Sequence, residues 1–333
     1  MHLRTQHRFI FYLFILFHFL AFAPILSACS VCGCGDPLAA AGSAHPLAGS
    51  FRLDVASIYL TASAQSDDLT GSSETVRQVN LNTTLTYSPT DDLSLSVMLP
   101  VVEKYWYYTA SDAAIAQGGG NDEGTPFGIG DMMFGARYFF LSDTDFKTKQ
   151  HTGMAVQAGI YFPTGGTNFT SLITGDNLDT HAQLGTGAWA FYGGLLYNRV
   201  WDDFTLSANA NYVVRTTAST NDPNSPVYQY AFGNSFTAGV QGQLHVADAL
   251  AFSLAAEGRY AVSDTELNPL VGPGIVDTPN TGGTVINATP GVWWNVSGDS
   301  TLYAKVQIPF YTNLNGVQEV DPTYTVGTQF LIH

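Results

Sequence analysis

The 333-residue chain is 45% hydrophobic but only 12% charged, with 33 glycines and a formal charge of −15. A soluble domain carries about 25% charged residues, so this composition suits a surface that faces lipid rather than water. The acidic balance argues against nucleic acid as a partner, because nucleic acid draws Lys and Arg. Beyond the N-terminus no run reaches the roughly 18 continuous apolar residues of a membrane helix.

Residues 1–28 read as a bacterial export signal: Arg4 and Arg8 precede Phe9 to Leu26, which are nearly all apolar. Leu26-Ser27-Ala28-Cys29 is similar to a lipobox, which would make Cys29 an acylated first residue. Plain cleavage after Ala28 competes, and an uncleaved anchor is a third alternative. Loss of the two arginines with no acid would take the charge to −17.

Residues 29–50 are rich in Cys, Gly, Ala and Pro and show no strand period, which marks a periplasmic or lumen segment. Cys29, Cys32 and Cys34 are the only cysteines, spaced closely enough to clamp a soft ion such as Cu(I) or Zn(II). A disulfide with one thiol left over competes in an oxidising periplasm. With Cys29 acylated, Cys32 and Cys34 remain for a metal or a periplasmic redox partner. Extended at roughly 3.3 Å per residue, the segment is long enough to enter a barrel as a plug.

From Phe51 onward a period of two sets in, the mark of strands whose successive side chains point to opposite faces. Twelve strands are expected, at 51–63, 76–87, 92–108, 128–141, 152–163, 184–199, 203–215, 230–246, 249–262, 284–297, 300–312 and 321–332. In 128–141, Met132, Phe134, Ala136, Tyr138 and Phe140 share one face and Asp131, Met133, Gly135, Arg137 and Phe139 the other. The strand at 51–63 fits least well, since Ile58 and Leu60 fall on its polar parity.

The connections alternate in length. Short ones are Ser88–Asp91, Ser142–His151, Val200–Asp202, Ala247–Asp248 and Gly298–Asp299. Long ones are Ser66–Thr75, Ala110–Phe127, Thr164–Gln183, Thr216–Gln229, Ser263–Gly283 and Asn313–Val320. Ser142–His151 is the weak member of the short set. Outer-membrane barrels have short periplasmic turns and longer external loops. Lipid offers backbone amides no water, so a sheet inside it must close on itself. The expected fold is therefore all-β, a transmembrane antiparallel up-and-down β-barrel of about 12 strands over residues 51–333, in the bacterial outer membrane. Tyr105, Trp106, Tyr107, Tyr108, Trp189, Trp201 and Trp294 near strand ends suit interfacial girdles.

Inward parity holds few charges. Asp131 with Arg137, and Glu257 with Arg259, are same-face neighbours along their strands, and Arg215, Lys305, Tyr303, Trp293 and Tyr311 share the lumen. These residues either line a solute path or form a network that stiffens the wall. The loop Gly118–Gly124 has the composition of a cation site that could bridge to lipopolysaccharide. No Gly-x-Ser-x-Gly, phosphate loop or catalytic carboxylate pair is present, so no enzyme and no cofactor beyond a metal at the cysteines is expected.

At Gly128-Ile-Gly-Asp131…Gly135-Ala-Arg-Tyr138 the chain resembles the outer-membrane transporter-like family named for the MetA pathway of phenol degradation. Leu99-Pro100, Tyr161-Phe-Pro163-Thr-Gly165 and Gln183-Leu-Gly185-Thr-Gly187 extend the resemblance, which spans about residues 51–333. It implies a barrel that passes small apolar or aromatic solutes, with no catalytic residues to carry over. The alternative is a non-conducting outer-membrane scaffold whose cysteines hold a metal or a periplasmic redox partner.

Overall fold

The computed structural model describes residues 47–65, 71–116, 118–145, 150–219, 229–267, 274–278 and 280–332. Twelve antiparallel strands form the wall: β1 Phe51–Gln65, β2 Ser73–Tyr87, β3 Leu93–Thr109, β4 Met132–Asp145, β5 Gln150–Phe162, β6 Ala190–Val200, β7 Phe204–Arg215, β8 Ser235–Ala247, β9 Leu250–Ala261, β10 Gly283–Ser297, β11 Ser300–Leu314 and β12 Thr323–Ile332. Each pairs with its sequence neighbours, and β1 pairs with β12 from Phe51 opposite Ile332 to Tyr59 opposite Tyr324. That last pairing closes the cylinder and leaves no open edge, as hydrocarbon requires.

The barrel is inside-out relative to a soluble protein. Leu81, Leu85, Val97, Phe134, Val156, Leu195, Leu254 and Phe310 are exposed on the outer face. Gln78, Asn80, Asn82, Thr84, Asn198 and Asn211 are buried on the inner one. Hydrocarbon tails solvate the first set, while the second can bond to one another or to water in the lumen.

Four differences from the periodicity reading follow from register and side-chain reach. The connection between β4 and β5 is confined to residues 146–149, because both strands run on past the expected ends. Every connection on the side of the chain ends is then short. Trp106 is not in a girdle: it shares the inward parity of Lys104 and is 6% exposed. Tyr311 leaves the lumen because a register shift between Ile286 and Asn287 sets it opposite Ile286, and it is exposed. Finally, residues 184–189 and 230–234 do not join the wall; β6 begins at Ala190 and β8 at Ser235.

On strand β1 the inward parity carries Asp54 and then the apolar Ala56, Ile58, Leu60 and Ala62, all buried. The apolar inner residues that fit a water-filled channel poorly thus form an apolar stripe on the lumen wall. At the long-loop end, Ala218–Ser219, Gln229–Ala231, Thr265–Leu267 and Ile275–Asp277 build a small antiparallel sheet above the barrel.

Candidate functional site

The connection between β5 and β6 folds into the outer mouth of the barrel, and four groups of contacts fix its place and its shape. Leu178 and Ala182 are buried against Trp106, with Val76, Tyr108 and Phe169 packed around them. Lys104 donates its Nζ hydrogens to the carbonyl oxygens of His181, at 2.8 Å, and Gln183. The Gln183 side chain accepts from the Phe169 N–H at 2.9 Å and donates to the Leu178 carbonyl at 2.8 Å. These bonds satisfy polar groups that burial would otherwise leave costly.

The fourth group is built from the glycine-rich motifs. Asp131 accepts from the Gly165 N–H at 3.0 Å, the Thr186 N–H at 2.8 Å and the Thr186 hydroxyl at 2.7 Å. The chain crosses itself here so closely that a Cβ on Gly165 would stand 2.5 Å from the Gly185 Cα. Only glycine tolerates such an approach. Asp131 is therefore a staple between β4 and the two ends of the plug, and it does not pair with Arg137 six residues on. Arg137 Nε instead donates to Gln157 Oε1 at 3.4 Å.

Above the plug, His181 meets the outer sheet. Its Nδ1 lies 3.0 Å from Asp179 Oδ1 and its Nε2 2.9 Å from Asp264 Oδ2. The Tyr230 hydroxyl donates to Asp264 Oδ2 at 2.7 Å, and the Gly233 N–H donates to Asp264 Oδ1 at 2.6 Å. Burial would lower the imidazole pKa, but the hydrogen bonds and charges of the two carboxylates outweigh it and push it up to about 10. Burial likewise works to raise Asp264, yet His181, Gly233 and Tyr230 hold it below the usual carboxylate range. Burial and the Asp264 charge drive the Tyr230 phenol far above its ordinary value. An imidazolium thus clamps the connections β5–β6, β7–β8 and β9–β10 together. The periodicity reading missed this cluster, since only Asp179 is close to His181 in sequence.

Beside the plug, and reaching up to the His181 cluster, lies a cavity of about 320 Å³ lined by Leu60, Ala62, Val102, Tyr161, Val213 and Phe232, with Arg215, Arg259 and the plug residues Gln183 to Thr186. A second, of about 440 Å³, occupies the periplasmic half and is lined by Asn198, Gln241, Gln243, Glu257, Trp293 and Asn295, among others. Between the two stand Met133, Tyr192, Gln157 and Asn211. Met98, Met133 and Tyr192 form one buried cluster, and Gln157 Nε2 donates to Asn211 Oδ1 at 2.5 Å. The Tyr192 ring fits over Gly135 and Gly159, which leave no room for a Cβ beneath it.

The other expected lumen residues take separate places. Tyr303 lies flat against Gly327, stacks on Trp293 with centroids 4.7 Å apart, and donates to Asp54 Oδ1 at 3.1 Å. Glu257 Oε2 accepts from Thr289 and Gln307, both at 2.7 Å, and not from Arg259. Arg215 donates to the Gly233 carbonyl at 2.6 Å and the Ser235 hydroxyl at 3.3 Å. Lys305 pairs in register with Gly291 and Thr325 and lines neither cavity. Cys29, Cys32 and Cys34 lie outside the described residues, as do the export signal, the lipobox and the expected N-terminal plug. The obstruction that is seen comes from the external side.

Residues 64–314 match the family described as MetA-pathway of phenol degradation. The chain belongs to this family. Within the matched range, Asp131, Gly165, Gly185 and Thr186 of this chain's glycine-rich stretches are the residues that staple the plug. Among solved structures, an outer membrane channel from Pseudomonas putida F1 superposes with a TM-score of 0.60 at 13% identity, covering 87% of this chain and 98% of that one. The transport unit of the autotransporter AIDA-I from Escherichia coli gives 0.50 at 9% identity, covering 86% and 91%. The P. putida toluene transporter TodX overlaps at 0.38 and 10% identity, over 85% and 89%, too loosely to argue from. At these identities the likeness is one of fold. No curated protein matches the chain by sequence. The phenol-degradation family member is thus a closed barrel of the bacterial outer membrane.

Proposed function

We propose that the barrel passes small apolar or aromatic solutes passively across the outer membrane. The carrying observation is the chemistry of the outer cavity. An apolar stripe (Leu60, Ala62, Val102) faces Tyr161, Val213 and Phe232 across a space of about 320 Å³, and polar or charged side chains make up about half of the lining as a whole. That volume is at the lower end of the roughly 300–1,000 Å³ found for small-molecule sites. A purely hydrated pore would have no use for the stripe. The family description, which names phenol degradation, and the outer membrane channel from Pseudomonas putida F1 that shares the fold support the same reading. Eight-stranded barrels are filled by side chains and sixteen-stranded ones are open, so a twelve-stranded wall suits a narrow, obstructed path.

Flux into proteoliposomes is the test. Phenol and benzyl alcohol should enter faster with the protein than without it, and a sugar of similar mass should not. Tyr192→Ala, which empties the layer between the cavities, should raise the flux severalfold. Equal entry of all three solutes with and without protein would remove the proposal.

A further inference from the structure

The charges that line the outer cavity are nearly all accounted for. Lys104 is spent on two plug carbonyls, and Asp131 on Gly165 and Thr186. Asp179 and Asp264 hold His181, and Arg215 reaches Gly233 and Ser235. Glu74 is also engaged. Arg259 is the exception. Its Nε is buried without a hydrogen-bond partner, and no acceptor for its guanidinium is found among the described residues. Its cross-strand neighbours explain why: Val285 on one side has no acceptor side chain, and Thr237 on the other has its interactions elsewhere. Glu257, the nearest carboxylate along β9, is taken by Thr289 and Gln307.

A guanidinium kept in a protein wall without an acceptor is destabilising. It faces the cavity, and Arg215 adds a second cation on the same quarter of the wall, since its partner Ser235 pairs with Ala261, two residues from Arg259. Across the whole lining cations and carboxylates balance, four of each, so what marks this side of the wall is the guanidinium pair Arg215 and Arg259. Opposite them stands the apolar stripe. A flat apolar ring with one anionic end complements both sides, and the planar fork of Arg suits a carboxylate.

We propose that Arg259 docks the anionic oxygen of a small aromatic solute, so that the preferred cargo is an aromatic carboxylate or phenolate and not a plain hydrocarbon. The inference rests on the passage reading for its biological meaning, but binding can be measured without flux. The full-length protein in detergent is titrated calorimetrically with sodium benzoate and with benzyl alcohol, its neutral counterpart of similar size. Benzoate should bind the wild type at least tenfold more tightly than benzyl alcohol. Arg259→Gln should weaken benzoate about tenfold or more, as expected for loss of a charge-assisted bond, and alter benzyl alcohol less than twofold. Arg259→Lys should fall between. Because Arg259 has no acceptor to lose among the described residues, these variants should keep the heat-modifiable migration of a folded barrel.

Wild-type indifference between the two ligands, or unchanged benzoate affinity in Arg259→Gln, overturns the inference. Flux of the same pair into proteoliposomes separates the two claims. Arg259-dependent binding without protein-dependent flux leaves the docking site standing and removes passage. Flux with a benzoate preference that Arg259→Gln leaves intact does the reverse.

Discussion

Replacing Asp131 by Ala should release both ends of the plug while its middle stays docked. The carboxylate accepts three hydrogen bonds of 3.0, 2.8 and 2.7 Å from Gly165 and Thr186. Bonds to a charged group contribute about 1.5–3 kcal/mol each. Water in the lumen replaces part of the lost acceptor and the three bonds are not additive, so the expected net loss is about 3 kcal/mol. That corresponds to a rise on the order of 100-fold in the released population. Leu178 and Ala182 remain buried against Trp106, and Lys104 still holds the His181 and Gln183 carbonyls. The effect should therefore be local. Hydrogen exchange measured peptide by peptide reports such openings directly. The amides around Gly165 and Thr186 should exchange about 100 times faster, while those at Leu178 and Ala182 change less than about threefold. Unchanged protection at Gly165 and Thr186, or a uniform rise along the whole connection, would refute the staple. Asp131→Asn keeps one acceptor oxygen but sets an amide hydrogen towards a donor, so it should give a smaller rise at the same two places.

Two further outcomes are expected. Gly159→Val places a side chain against the Tyr192 ring and the Phe134 carbonyl oxygen; overpacking of this kind costs about 1–3 kcal/mol, readable in urea unfolding from micelles. Adding Tyr192→Ala should restore part of it only, because the backbone contact stays. The His181 clamp should show a pH signature. A raised folded pKa gives stability that is whole below the unfolded value of 6.5 and is lost as pH rises through about 10. A lowered Asp264 adds stability that is whole above 3.8 and is lost as pH falls through its depressed value. The midpoint difference between wild type and His181→Gln should thus be largest between these limits and shrink towards pH 10, and a difference that stays flat or grows with pH would count against the clamp.

How much was legible depends on the range of the contacts involved. Alternation along β7, β9 and β11 reports the two faces directly, because side-chain direction in a strand is set by the residue's own position. The inward place of Trp106 is also legible, since it lies two residues from Lys104 on the same parity, and position decides over residue type here. The plug was not legible. Gln183 to Trp189 continues a strand-like run, and nothing local shows that Gly185 will meet Gly165 and carry the backbone off the wall. The clamp is more remote still, because His181 lies 49 residues from Tyr230 and 83 from Asp264. Periodicity reads the wall and is silent about what folds into it.

The charge pairs show why same-strand reasoning misplaces partners in a barrel. Side chains two apart on one strand stand roughly 6.5–7 Å apart along it, whereas directly opposed residues on neighbouring strands bring their Cβ atoms to about 4.5–5.5 Å. Arg137 accordingly finds its register partner Gln157 on β5, and Glu257 reaches diagonally to Thr289 on β10 and on to Gln307 on β11. Tyr303 on β11 reaches Asp54 on β1. Cross-linking of this kind ties strands distant in sequence and stiffens the wall. It also withdraws acceptors from the cations that lie beside them on their own strand. Among the described residues Arg259 is left without one because the lumen network bonds across strands, so its unpaired guanidinium and the stiff wall have the same geometric origin.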